Sequence, residues 1–118
     1  MSNKLKQNVD ELNGLILEGK ILDAFDKFYA PEVVMQDNDL PARKGSDENR
    51  KFEEYFVDGL TEFRGAKLLN TVVSDGIAVN EWAFDYTHKE WGDRNYTQVS
   101  VQRWKDDKIV EEKFYYNN

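Results

Sequence analysis

The sequence predicts an α+β domain in which three N-terminal helices pack into the concave face of a strongly bent, mainly antiparallel sheet. Apolar residues recur at helical spacing in the first half of the chain, and four strand-like segments separated by short turns fill the second half. Helices followed by consecutive antiparallel strands are typical of α+β domains. Because a long, twisted meander curls, we expect helices and sheet to enclose a conical space, as in a cone-shaped α+β barrel.

Length and composition narrow the choice of function. The 118 residues suit one domain spanning residues 1–118. A net charge of −7 and a pI of about 4.7 repel phosphate backbones and anionic lipids, so we expect neither nucleic acid nor a membrane as partner. With no cysteine and one histidine, the chain has few zinc ligands, and we predict no metal and no other cofactor. No apolar run suits a signal peptide or a membrane span, so we expect a cytoplasmic protein.

Two helices are predicted before the first strand. The first runs from about Asn3 to Glu18, and Gly19 follows it as a left-handed terminator. The second begins near Lys20 and ends at Ala30-Pro31, because the residue before a proline avoids the helical region. Their apolar stripes are Leu5, Val9, Leu12 and Ile16 in the first helix, and Leu22, Phe25, Phe28 and Tyr29 in the second.

A short strand at Val33–Asp37 precedes the third helix. That helix is predicted to have Ser46 as its N-cap, with acidic residues in its first turn. Its buried stripe is Phe52, Phe56 and Leu60. The strands that follow are Phe63 to Ser74, Ile77 to His88, Arg94 to Lys105, and Lys108 to Tyr116.

Strong alternation marks the strand Ile77 to His88. One face carries Trp82, Phe84, Tyr86 and His88, and the other face is largely polar. We expect the aromatic face to form the floor of a cavity. On the next strand Gln98, Ser100 and Gln102 alternate with two valines, and either set can face inward. If Val99 and Val101 face outward, they give the sheet a partly apolar outer surface that suits a homodimer.

Several motifs, in a fixed order, cover the whole chain: Glu18-Gly19-Lys20, Phe28 to Met35, Lys44-Gly45, Glu81 to Phe84, and Trp104 to Glu111. Their order and spacing resemble the SnoaL-like branch of the nuclear transport factor two-like superfamily, which also includes ketosteroid isomerases. The family usually has Asp-Gly where Asp106-Asp107 stands here. The resemblance implies the cone-shaped fold, and its members are isomerases, aldol-type cyclases, dehydratases or non-catalytic binding modules.

Asp37 is the first candidate for a catalytic base. By resemblance to ketosteroid isomerases, the segment ending at Asp37 runs parallel to the one that ends in their aspartate base. A carboxyl group in an apolar cone has a raised pKa and can move a proton beside a carbonyl. The alternative is a solvated residue that turns the chain into the following loop. The resemblance places Leu12 and Ser100 where those enzymes have their oxyanion donors, so we do not expect steroid isomerisation by that mechanism.

His88 and Glu112 complete the predicted acid–base set. His88 resembles a histidine at this strand end in some SnoaL-like proteins and can exchange a proton near neutral pH; the alternative is a half-exposed histidine hydrogen-bonded to its neighbours. Glu112 faces inward in the family's register, whereas a simple turn at Asp106-Asp107 points Glu111 inward, and a β-bulge restores the first register. An inward Glu112 needs a partner such as Gln102, Arg103 or His88.

We therefore predict a protein that binds a compact, mainly apolar small molecule. As an enzyme it performs cofactor-free isomerisation, cyclisation or dehydration beside a carbonyl, with Asp37 or Glu112 as base, His88 as acid, and Tyr86 or Gln102 orienting the substrate. The alternative is a non-catalytic binding module or a structural dimer, and two ionisable side chains converging in the cavity would favour the enzyme. The predicted ligand-binding residues are Tyr29, Met35, Phe56, Trp82, Phe84, Tyr86, Ser100, Gln102, Trp104, Phe114 and Tyr116.

Overall fold

The computed structural model describes residues 3–117. Three helices and six strands follow one another in the order α1 (Asn3–Leu17), α2 (Ile21–Phe28), β1 (Tyr29–Asp37), β2 (Arg43–Lys44), α3 (Ser46–Gly59), β3 (Leu60–Ser74), β4 (Ile77–His88), β5 (Gly92–Lys105) and β6 (Lys108–Tyr116). The fold is α+β as predicted, with three helices packed against one sheet.

The six strands form one mixed sheet with the order β2-β1-β6-β5-β4-β3. Strand β1 pairs with β6 in parallel, and every other neighbouring pair is antiparallel. The sheet is therefore mainly antiparallel, as expected, but it is longer than the predicted four-strand meander. It is also open, with β2 and β3 at its edges, so the cone is not a closed barrel.

The ends of α1 and α2 show how local sequence sets the boundaries. Gly19 has φ +80° and donates its N–H to Ile16 O at 3.0 Å, which confirms it as the helix terminator. Helix α2 ends earlier than predicted, because Tyr29 is already extended and pairs with Ile109 in β6. Pro31 lies within β1 instead of ending the helix, and the β1–β6 register shifts between Tyr29 and Val34, around a residue that has no N–H to donate.

Helix α3 begins at Ser46, but Ser46 is not its cap. The N-cap position is Gly45, which makes no side-chain cap and has φ +89°, a conformation that favours glycine. The buried residues of α3 are Asn49 and Gly59. The predicted stripe of Phe52, Phe56 and Leu60 is only partly buried, because the two phenylalanine rings line a pocket. Leu60 is not in the helix at all but is the first residue of β3.

The core lies between α1, α2 and one end of the sheet. Asn8 and Asn13 are buried polar residues on α1, and the apolar residues around them form a cluster. Its buried members are Val9, Leu12, Ala24, Phe25, Phe28, Val33, Met35, Ala78, Trp104 and Ile109. Because this cluster fills one end of the cone, the other end is left open beneath α3.

The β5–β6 hairpin fixes the register of the last strand. Asp106 and Asp107 both have positive φ, as a two-residue hairpin turn requires. The register then shifts between Arg103 and Trp104, so that Trp104 pairs with Ile109 but Gln102 pairs with Glu112. This bulge confirms the predicted inward register of Glu112. It also places Ile109 in the core.

Candidate functional site

A pocket of about 470 Å³ opens between the helices and the inner face of the sheet. Its polar and charged lining side chains come from β1, β2, α3, β5 and β6, and its aromatic walls come mainly from β4, α3 and β6. The residues lining it are Ile16, Ile21, Tyr29, Asp37, Leu40, Arg43, Phe52, Glu53, Phe56, Trp82, Phe84, Tyr86, Trp91, Arg94, Tyr96, Gln98, Ser100, Gln102, Glu112, Phe114 and Tyr116.

The structure brings most of the predicted ligand-binding residues to this pocket. On β5 the polar set Gln98, Ser100 and Gln102 faces it, and the alternating valines lie on the other face of the strand. Two predicted residues, Met35 and Trp104, instead lie in the core cluster. The residues predicted to bind ligand and found in the lining are Tyr29, Phe56, Trp82, Phe84, Tyr86, Ser100, Gln102, Phe114 and Tyr116.

Glu112 is the buried carboxylate of the pocket, with 3% of its surface exposed. The Tyr29 hydroxyl donates to Glu112 Oε1, and Gln102 Nε2 donates to Glu112 Oε2 at 2.9 Å. Ser100 lies close enough to favour the charged form, although its hydroxyl makes no hydrogen bond of good geometry among the described residues. Burial outweighs these bonds and raises the pKa of Glu112 to about 7.

A second carboxylate, Glu53 on α3, lines the same pocket. Loss of solvent is the main cause that raises the pKa of Glu53 to about 7, and repulsion from the Glu112 charge adds to it. The positive charge of Arg43 acts in the opposite direction and lowers this pKa. Glu53 is not among the residues predicted from the sequence, because it sits beside the aromatic stripe of α3. Its signal was spacing: Asn49, Glu53 and Phe56 are four and three residues apart, which places them on one helix face.

Asp37 lies at the pocket wall but is already paired. Arg43 Nη2 lies 3.0 Å from Asp37 Oδ1, and the Tyr116 hydroxyl donates to Asp37 Oδ2 at 2.6 Å. Both side chains of the Asp37–Arg43 pair are only 14% exposed. Arg43 also stacks on Phe52, with 3.9 Å from its Cζ to the ring centroid. Asp37 is thus neither a solvated turn residue nor an unpaired carboxylate.

His88 is buried outside the pocket lining, with 1% of its surface exposed. Its ring stacks on Trp91 at a centroid distance of 3.9 Å. Nδ1 accepts the N–H of Glu90 at 3.1 Å, so Nε2 carries the proton and faces Tyr55 O at 3.4 Å. His88 is therefore hydrogen-bonded to its neighbours but not half-exposed. The structure does not bring it together with Asp37 and Glu112.

The relationship to known proteins agrees with this architecture. A family model described as a SnoaL-like domain matches residues 11–112. The chain belongs to the SnoaL-like family. No curated protein is similar enough in sequence to be counted as a relative.

Solved structures share the SnoaL-like fold along the whole chain. A proposed SnoaL-like polyketide cyclase from Mesorhizobium loti has a TM-score of 0.86 and 21% identity, over 98% of this chain and 100% of that one. A second proposed SnoaL-like polyketide cyclase, from Jannaschia sp. CCS1, has a TM-score of 0.82 and 15% identity, over 99% of this chain and 90% of that one. A proposed isomerase from Bacillus subtilis has a TM-score of 0.78 and 15% identity, over 99% of this chain and 90% of that one. At these identities, the likeness shows a common fold.

Within the described part of this SnoaL-like domain, no three His, Cys, Asp or Glu side chains are grouped so that they could hold a metal ion. Helices α1 to α3 are also too short or too polar to cross a membrane. The chemistry of the pocket rests on its carboxylates, hydroxyls, amides and arginines.

Proposed function

We propose that this SnoaL-like protein binds a compact, mainly apolar carbonyl compound and moves a proton beside the carbonyl without a cofactor. The observation that supports the proposal is the presence of two carboxylates, Glu53 and Glu112, in one aromatic pocket, each with a pKa of about 7. A general base or acid works best when its pKa lies near the working pH. Because the charge of Glu112 also opposes ionisation of Glu53, the pair favours one proton between two carboxyl groups at neutral pH.

In the proposed step, ionised Glu112 takes a proton from the carbon beside the carbonyl. The electron pair of that C–H bond forms the carbon–carbon double bond of an enol, the π electrons of the carbonyl move to its oxygen, and protonated Glu53 gives its proton to that oxygen. In a substrate with a β,γ double bond, Glu112 returns the proton to the far carbon of the resulting dienol while Glu53 recovers its own proton from the enol oxygen, which completes an isomerisation without any change in oxidation state. The bonds from Tyr29 and Gln102 hold the Glu112 carboxylate in place.

The walls of the pocket favour a flat ligand. Trp82 and Phe84 stack at a centroid distance of 5.4 Å with 16° between their planes, and the Tyr86 and Tyr96 hydroxyls lie 2.8 Å apart. Such aromatic surfaces provide apolar contact area with polar atoms at the edge. Tyr86 is the proposed substrate-orienting residue, because the Gln102 amide is engaged by protein groups at both of its ends.

The experiment measures, by NMR in heavy water, the exchange of α-protons for deuterium in small benzo-fused cyclic ketones such as β-tetralone and indanone. We expect the protein to accelerate exchange beyond an equal concentration of carboxylate buffer, and Glu112→Gln to lose roughly 100-fold or more of that acceleration. The matched control is Glu111→Gln, an exposed neighbour whose carboxylate pairs with Arg103. Exchange that Glu112→Gln leaves unchanged would contradict the catalytic proposal.

The second candidate is a non-catalytic binding module, favoured by the engagement of Asp37 and His88 in contacts of their own. It predicts that the ketones bind without exchange, and that Trp82→Ala weakens binding while Glu112→Gln does not.

We also propose a homodimer through the outer sheet face, where Val72 and Tyr115 are exposed. Sedimentation of Val72→Lys tests this proposal, because a buried lysine at a two-fold interface would shift the equilibrium towards monomer.

A further inference from the structure

A chain of hydrogen bonds leads from the core into the pocket. The indole Nε1 of Trp104 donates to Gln102 Oε1 at 3.0 Å, and Gln102 Nε2 donates to Glu112 Oε2 at 2.9 Å. Both side chains before the carboxylate are buried. Trp104 itself belongs to the core cluster, where its ring meets Phe28 edge-on at a centroid distance of 5.7 Å. The core and the carboxylate are thus connected by one amide.

The chemistry of each group fixes the direction of these bonds. An indole N–H can only donate, so the end of the Gln102 amide facing Trp104 must be its oxygen. The other end of the amide is then the NH₂ group, which also only donates. Glu112 Oε2 must therefore accept, and a proton on this carboxyl group belongs on Oε1, beside the Tyr29 hydroxyl. A tyrosine hydroxyl can either donate or accept, so it suits both forms of Glu112.

We infer that Trp104 is a positioning residue, which acts through Gln102 to hold Glu112 in the ionised form with Oε1 as the atom that exchanges the proton. The inference rests on the proposed function for its catalytic meaning but not for its physical content. Without the indole N–H, the Gln102 amide can turn over and present its oxygen to Glu112. That orientation favours a protonated carboxyl group, because a carbonyl oxygen accepts a proton and cannot give one.

Other titratable groups also act on Glu112. The titratable side chains facing it are Tyr29 and Asp37 from β1, and Glu53 faces it from α3. None of them bonds to Trp104 in the described residues. The hydrogen-bonded route from Trp104 to Glu112 therefore runs through the Gln102 amide, and because Tyr29 packs against the core cluster that contains Trp104, a Gln102 variant is needed to separate this route from packing.

The test is the titration of Glu112 in Trp104→Phe, measured by carbon NMR on glutamate labelled at its side-chain carboxyl. The Glu112 signal is assigned by its loss in Glu112→Gln. We expect the Glu112 pKa to rise by roughly one unit or more, the scale of a lost hydrogen bond to a charged group. Phe28→Leu is the matched control: it disturbs the same core contact, leaves the indole N–H in place, and should leave the Glu112 pKa unchanged.

Two further measurements separate positioning from packing. In a Gln102→Met background, Trp104→Phe should produce no additional shift in the Glu112 pKa. In the unaltered protein, the indole N–H resonance of Trp104 should change with the same midpoint as Glu112, which keeps the inference testable if Trp104→Phe fails to fold. A shift that persists in Gln102→Met, or an indole resonance that does not follow Glu112, would overturn the inference.

The titration needs no substrate. A Glu112 pKa that responds to Trp104 in a protein that exchanges no ketone would reject the catalytic proposal and keep the positioning inference. Ketone exchange together with a Glu112 pKa that is unchanged in Trp104→Phe would support the catalytic proposal and reject the positioning inference.

Discussion

Gly59, the last residue of α3, lies directly against the imidazole ring of His88. A β-carbon built on Gly59 would overlap that ring, with the Cδ2 atom at 2.7 Å. Here glycine is required by the closeness of a neighbour, since the backbone of Gly59 does not have the positive φ found at Gly45 and Gly76. The contact joins the end of α3 to the end of β4.

Substitution Gly59→Ala should therefore destabilise the fold. The added methyl group must displace the His88 ring from its stack on Trp91, and we expect a loss of about 1–3 kcal/mol in the free energy of unfolding. Urea denaturation measures this loss. Gly14→Ala is the matched control, because nothing lies within 4 Å of a β-carbon there. An alanine in the interior of α1 should instead stabilise by up to about 1 kcal/mol, and equal effects at the two positions would contradict the explanation.

Stability should rise as the pH falls from about 7 towards 4.5, the ordinary pKa of a glutamate carboxyl. In this window folded Glu112 binds a proton that the unfolded chain does not, so acidification favours the folded state. Above pH 7 both states are ionised, and the cost of burying the charge is complete, on the order of 3 kcal/mol. Urea denaturation across this range, compared with Glu112→Gln, measures the contribution. A variant whose pH dependence equals that of the original protein would count against a raised pKa at Glu112.

Removal of the Glu112 charge should lower the pKa of Glu53 below its value of about 7, because repulsion from Glu112 is one of its causes. The expected result is an earlier titration of Glu53 in Glu112→Gln, observed by carbon NMR of labelled glutamate. Glu111→Gln should have no such effect, since Glu111 is exposed and paired with Arg103. An unchanged Glu53 midpoint in Glu112→Gln would mean that the two carboxyl groups do not interact.

Asp37→Asn should destabilise the protein more than it alters the chemistry of the pocket. The amide cannot keep the ion pair with Arg43 that the carboxylate makes at 3.0 Å, and the partner charge is left in a site that is largely buried. We expect a loss of about 1–3 kcal/mol, seen by thermal or urea unfolding, with ketone exchange largely retained. If Asp37→Asn abolished exchange in a protein of unchanged stability, Asp37 and not Glu112 would be the base.

The sequence predicted the architecture well where the signal was periodic. Strands β4 and β6 have the predicted bounds, because alternation and turn residues mark both of their ends. The parallel pairing of β1 with β6 could not be read from local pattern, since it joins segments far apart in the chain. Ala30-Pro31 predicts a helix end because the residue before a proline avoids the helical region, yet the same restriction also suits an extended strand.

The sequence predicted the aromatic lining of the candidate site better than its acid–base residues. Alternation placed the aromatic residues of β4 facing inward, and the inward register of Glu112 depended on recognising one bulge. His88 looked catalytic because it is the sole histidine, but its backbone partners at Glu90 and Tyr55 come from folding and cannot be seen in sequence. Glu53 is one of several charged residues on α3, and Glu54 follows it directly, so in sequence it resembles part of a solvated helix face.

The bulge beside Trp104 means that the register of β6 against β5, as much as the identity of its residues, decides which side chains a ligand in the pocket would contact. Side chains of a strand alternate between faces, so a slip of one residue exchanges the two sets completely. If β6 paired with β5 without the bulge, Glu111, Lys113 and Tyr115 would enter the pocket, and Glu112 would leave with Phe114 and Tyr116. The pocket would then contain the ammonium group of Lys113. One insertion or deletion in the hairpin could therefore reverse the charge in the pocket, whereas substitutions would have to change several residues.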